Sequence, residues 1–148
     1  MITLTDQSLD PGALLGQFCK GRCETGAIAS FVGLARAEQG STATLELEAY
    51  RGFTDTQIAE HADAATSRFA LQDVLIVHRV GEITPGEAIV FVATAAAHRR
   101  AAFEACDFLM DYLKSRAPFW KKETGPSGAR WIEPKPQDLT DLARWETT

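Results

Sequence analysis

Polar and apolar residues recur along this chain with two periods. Thr44 to Tyr50 sets Leu45, Leu47 and Ala49 against Glu46 and Glu48, the period-two pattern of a strand with one wet face. Ile58, Ala62, Ala65 and Phe69 recur at helical spacing behind Thr54, which is predicted to cap that helix. Gly26 to Ala35 is apolar, small and bounded by glycine, as in a buried strand, and it runs into a polar loop from Arg36 to Ser41. Val74 to Val80 and Ala88 to Ala96 predict two more strands, joined as a hairpin through Gly81 to Glu87 with its Pro85-Gly86 turn. From His98 to Arg116, one stripe of Phe103, Cys106, Met110 and Leu113 predicts a helix that Pro118 stops. Phe119 to Glu123 and Arg130 to Glu133 suit a second hairpin. At the start, Ile2 to Thr5 reads as a short strand, and Asp10-Pro11 opens a two-turn helix with Leu14, Leu15 and Phe18 on one face. The tail from Pro136 to Trp145 has room for a short helix. Strands and helices mix without βαβ alternation, so the expected class is α+β with mainly antiparallel strands, with residues 1–148 as a single domain.

Composition narrows the function. The 148 residues are 45% hydrophobic and 24% charged, enough apolar content for a real core. The longest nearly unbroken apolar stretch, Ala88 to Ala97, is half of what a bilayer-spanning helix needs, so no membrane role is expected. The N-terminus lacks the features of a secretory signal, which points to the cytoplasm. Three cysteines, Cys19, Cys23 and Cys106, include no C-x-x-C pair, and the histidines, His61, His78 and His98, are scattered. Partly buried, ordinary thiols and no metal site are therefore expected. Phosphate-loop, dinucleotide, nucleophile-elbow and H-E-x-x-H motifs are all missing.

Charge then singles out one region. The whole chain carries −5, yet residues 98–135 carry +3 and the remainder −8. Such asymmetry suits an anionic ligand, although solvated faces of a helix and a hairpin account for it equally well on charge alone. His98, Arg99 and Arg100 open a helix, where unpaired N–H groups already favour an anion. Lys114 lies near the other end of that helix, roughly 24 Å away at about 1.5 Å per residue. No small ligand spans that gap within one chain, so a homodimer that sets one helix start beside its partner's helix end is the favoured arrangement. Lys114 and Lys121 flank the Arg116-Ala117-Pro118-Phe119-Trp120 corner, where the chain can turn back and point both amines into one pocket. A lysine near other cations and apolar walls can lose its proton and act as a base or nucleophile, or bind anions while charged. Phe119 and Trp120 fit core positions better than a flat ligand wall. Arg36, after its strand, is a further candidate cation. Glu46 and Glu48 read as a solvated face rather than an acid/base pair.

Longer motifs carry a resemblance. Val77-His78-Arg79-Val80-Gly81-Glu82, Pro85-Gly86-Glu87, Ala97-His98-Arg99 and Met110-Asp111-Tyr112-Leu113-Lys114-Ser115-Arg116-Ala117-Pro118-Phe119-Trp120-Lys121-Lys122-Glu123 stand in order. With Phe31 to Arg36, Leu45 to Tyr50 and Arg130 to Glu133, they resemble the large, catalytic subunit family of molybdopterin synthase from about Gly26 to Lys135. The resemblance implies an α/β hammerhead-type fold and a sulfurtransferase of molybdenum cofactor biosynthesis. Such proteins convert cyclic pyranopterin monophosphate to molybdopterin, with sulfur from the C-terminal Gly-Gly thiocarboxylate of a small ubiquitin-like subunit. It implies a homodimer within a heterotetramer and no cofactor. By position, Lys114 and Lys121 match the reaction centre, while Arg36, His98 and Arg99 match substrate-binding residues, the last two from the neighbouring subunit. Lys135 falls where some relatives have arginine, keeping the charge without the two-pronged phosphate contact.

A competing class is a non-catalytic dimeric module that binds a phosphorylated ligand or a ubiquitin-like partner with the same basic patch. Nucleic acid is a distant third, because the excess positive charge is small and the whole chain is acidic.

Overall fold

A computed structural model describes residues 1–37, 44–126 and 128–146. The loop expected at Arg36 to Ser41 lies largely outside them. Strand β1 (Ile2–Thr5) precedes helix α1 (Pro11–Cys19), whose Asp10 side chain accepts a 3.1 Å hydrogen bond from Ala13 N–H, as the Asp-Pro pair predicts. Then come β2 (Ala27–Leu34), β3 (Thr44–Ala49), α2 (Thr54–Phe69), β4 (Asp73–Arg79), β5 (Gly81–Ile83) and β6 (Ala88–Ala96). Helix α3 (Arg99–Ser115), strands β7 (Phe119–Gly125) and β8 (Gly128–Ile132) and helix α4 (Pro136–Ala143) complete the chain.

Two four-stranded sheets result, ordered β1-β4-β6-β2 and β5-β3-β7-β8. Among the described residues only the β1/β4 pair is parallel, so the expected α+β class with mainly antiparallel strands holds. The first sheet is covered on both faces. Phe18 of α1 packs with Val77, Phe91, Ala93 and Ala95, while α2 and α3 bury Val74, Ile76, Val90 and Val92 on the other side. Double coverage explains why β6 is an apolar run rather than an alternation. Alternation survives in β3, where Leu47 is buried and Glu48 exposed.

Two local expectations are corrected. Gly81 to Glu87 is more than a hairpin turn, because its first three residues form β5 and leave β4's sheet to pair with β3. Gly81, at φ +85°, turns the chain between sheets in a conformation that a side chain disfavours. Buried Arg79 pins this corner, with its guanidinium 2.7 Å from Glu87 and 3.0 Å from the Glu82 carbonyl. Thr54, expected as a cap, is instead the first residue of α2, which has no side-chain cap. It is fully buried, and its hydroxyl accepts from Tyr50 N–H at 2.9 Å and donates to the Pro118 carbonyl at 3.0 Å. Tertiary packing has taken the hydroxyl that local sequence assigned to the helix end.

Candidate functional site

The α3–β7 corner builds the site. Pro118 ends the α3 segment, and the chain reverses so that β7 lies antiparallel to β3, with Lys121 opposite Leu47. Period two then sends Lys121 to one face of this sheet and its neighbours Trp120 and Lys122 to the other. Met110, Leu113 and Lys114 follow one another down α3 at helical spacing and converge on the same space. The two lysines share a cavity of about 250 Å³ whose remaining walls are mostly apolar, including Phe31, Leu47, Val90 and Met110. Gly33 lets β2 come close there, since a Cβ at that position would stand 2.8 Å from Val90 Cγ1. A smaller hollow of about 120 Å³ also touches Lys114 and Lys121 and adds Lys135 and Asp138. The lysine pair therefore stands between two hollows, one between the sheets and one under the start of α4.

Electrostatics distinguish Lys121. Burial, and then the nearby Lys114 charge, lower its pKa from 10.5 to about 8, and Asp138 offsets part of this. Its amine can therefore give up a proton close to neutral pH. Neither lysine has an ion-pair partner among the described residues. Other cations of the basic segment do: Arg116 meets Glu146 at 2.8 Å and Arg130 meets Glu123 at 3.4 Å, while Lys122 sits over Trp131 at 5.8 Å. Part of the charge asymmetry is thus ordinary surface pairing.

The remaining candidates divide. His98, Arg99 and Arg100 are exposed and line a separate hollow with Gly26 and Ala97 at the start of α3, so one chain does not bring them to the lysines. Arg36 is exposed just beyond β2 and lines none of these hollows. Lys135 is exposed, and its backbone N–H donates to Asp138 at 3.0 Å as α4 begins. A larger hollow of about 570 Å³ beside α2 and β1 is lined by Asp55, Asp63 and Asp73, acidic walls that repel an anion. Trp120 corrects the core expectation: it is 52% exposed and meets Trp131 edge-on at 6.0 Å. Phe119 does pack against the core. Cys19 and Cys23 are exposed rather than partly buried, whereas burial raises the Cys106 thiol to about 11 and leaves it inert. Among the described residues no cluster of His, Cys, Asp or Glu is placed to hold a metal. No described helix is long and apolar enough to cross a membrane.

Sequence reading passed over His78, Met110 and Asp138 as cavity residues. His78 had a detectable signal, because Val74, Ile76 and His78 share one face of β4 and an imidazole stands where that alternation calls for an apolar side chain.

Comparison with known proteins identifies relatives of the same fold. The family model described as "MoaE protein" matches residues 4–116. A molybdopterin synthase catalytic subunit of Caulobacter vibrioides is 71% identical over 146 residues, covering 99% of this chain and 97% of the relative. The solved molybdopterin biosynthesis MoaE protein of Burkholderia ambifaria superposes with a TM-score of 0.85 at 42% identity, covering 100% of this chain and 99% of that one. Molybdopterin synthase from Staphylococcus aureus gives 0.79 at 25% identity, covering 88% and 95%.

Proposed function

Because the chain belongs to the MoaE protein family, we propose that it is the catalytic subunit of a molybdopterin synthase and transfers sulfur to cyclic pyranopterin monophosphate. The sulfur comes from the C-terminal Gly-Gly thiocarboxylate of a small ubiquitin-like subunit. The observation that carries this reading is the pair Lys114 and Lys121 in one largely apolar cavity that, among the described residues, no carboxylate lines. A phosphorylated substrate and a thiocarboxylate donor are both anions, and two ammonium groups in a low-dielectric site reduce the repulsion between them.

In this reading Lys114 orients the thiocarboxylate and assists acyl or proton transfer. Lys121, whose pKa of about 8 lets it hold or release a proton near neutrality, handles protons as the pterin carbons are attacked. Arg36, His98 and Arg99 hold the substrate phosphate, with His98 and Arg99 supplied by the second large subunit of a homodimer, itself the centre of a heterotetramer. Lys135 adds charge at the smaller hollow. The whole of 1–148 acts as one unit in the cytoplasm, and the positioning and charge that the reaction needs come from side chains without a cofactor.

The test is to mix the protein with a thiocarboxylated small subunit and cyclic pyranopterin monophosphate and to follow the pterin by mass spectrometry. Gain of two sulfurs is expected, and it is lost in a folded Lys114→Ala variant. No gain from an authentic, demonstrated complex would leave a binding module without turnover.

A further inference from the structure

A third polar side chain lines the cavity of Lys114 and Lys121, the imidazole of His78. It is only 4% exposed and is held on two sides: its ring stacks on Phe119 at 4.1 Å, and Nδ1 lies 2.8 Å from the Arg79 carbonyl oxygen. A carbonyl only accepts, so Nδ1 carries the hydrogen and Nε2 is left as a bare lone pair. Among the described residues nothing donates to that nitrogen. Burial, reinforced by the charges of Lys121 and Lys114, keeps the ring neutral down to about pH 4.

The lining is otherwise apolar apart from the two lysines, which only donate while protonated. Beside the weak thioether of Met110, His78 Nε2 is therefore the strong side-chain acceptor that the cavity offers a ligand among the described residues while both lysines are protonated.

We propose that His78 Nε2 is the ligand-orienting acceptor of this cavity, taking a hydrogen bond from an N–H group of the bound ligand beside the Lys121 amine. The inference rests on the sulfur-transfer reading for its two sources of such a group: the heterocycle of the pyranopterin, or a peptide N–H of the Gly-Gly tail. A site built to accept a hydrogen bond rejects ligands that lack the donor, so His78 sets specificity as well as orientation.

Two variants separate this role from packing. His78→Asn keeps a donor within reach of the Arg79 carbonyl but has no Nε2, and His78→Phe keeps the stack on Phe119 but neither nitrogen. Each is titrated by calorimetry with cyclic pyranopterin monophosphate alone and with the small subunit ending in an ordinary Gly-Gly carboxylate. A loss of about tenfold in affinity is expected, the value of one hydrogen bond. Loss for the pterin alone identifies the heterocycle as donor, and loss for the small subunit alone identifies the tail. Weakening of either ligand, or both, by a variant that melts like the parent supports the proposal; no weakening, or weakening only in variants that melt lower, overturns it. Nitrogen-15 NMR of the free protein supplies a readout that packing does not move. An unprotonated Nε2 at pH 7 is expected, and an Nε2–H tautomer or an imidazolium overturns the proposal by itself. A failure of the sulfur-transfer reading would show separately, as absence of product from the unsubstituted protein.

Discussion

Lys121 owes its chemistry to position. A lysine on an open strand keeps its proton to about pH 10.5, and here an apolar cavity and the Lys114 charge bring that down to about 8. Replacing Lys114 with Gln removes the charge and leaves the burial. The Lys121 midpoint is then expected to rise above 8 yet stay below 10.5, as followed by side-chain NMR; an unmoved midpoint would separate the two residues electrostatically. Two histidines act in the same sense at lower pH, because burial disfavours their charged form as it does that of Lys121. His78, and His61 stacked between Tyr112 at 3.8 Å and Phe108 at 4.6 Å, are both held neutral to about pH 4, chiefly by burial. The unfolded chain takes up a proton on each ring near pH 6.5, whereas the folded chain resists until about 4. Their contribution is complete above pH 6.5 and is lost as pH falls through that window. Urea unfolding at several pH values should show this decline, and His61→Phe should flatten it in part.

At the scale of elements, the α3–β7 corner depends on a contact remote in sequence. Thr54, at the start of α2, bridges Tyr50 N–H to the Pro118 carbonyl and so fastens the turn between α3 and β7 that aims Lys121. Thr54→Val keeps the shape but strands both backbone groups in a buried place. A loss of about 1–3 kcal/mol is expected in denaturant unfolding, the cost of unsatisfied buried polar groups. The strands were the most legible elements: β1, β3 and β6 fall within a residue of the bounds that alternation and apolar runs imply. β5 was not, because three residues carry too little pattern to separate a strand from a turn, and only pairing with β3 makes it one.

For the whole molecule, the two groups of cations lie at opposite ends of α3, and the start of that helix has a hollow of its own. If a twofold axis joins them, a His98→Ala/Arg99→Ala chain and a Lys114→Ala chain are each inactive alone. Co-refolded, they form mixed dimers in which one of the two sites is intact. Activity of the mixture near a quarter of the parent's is expected from statistical pairing, and a mixture as inactive as its components would rule out sharing between subunits.

Local information decided much of this protein. Apolar period, the Asp10-Pro11 start and the Pro118 stop place most helices and strands, because each depends on neighbours a few residues away. The motif from Met110 to Glu123 also picked out Lys114 and Lys121 by type and spacing. What tertiary structure alone decided is where those groups meet other parts of the chain. Leu47 and Val90 wall the cavity from two different sheets, the His78 ring is held against the Arg79 carbonyl and Phe119, and Thr54 serves Pro118 rather than its own helix. A cavity, a ring orientation and a depressed lysine pKa are properties of the space between elements. That space exists only once burial of apolar faces has brought residues far apart in sequence into contact.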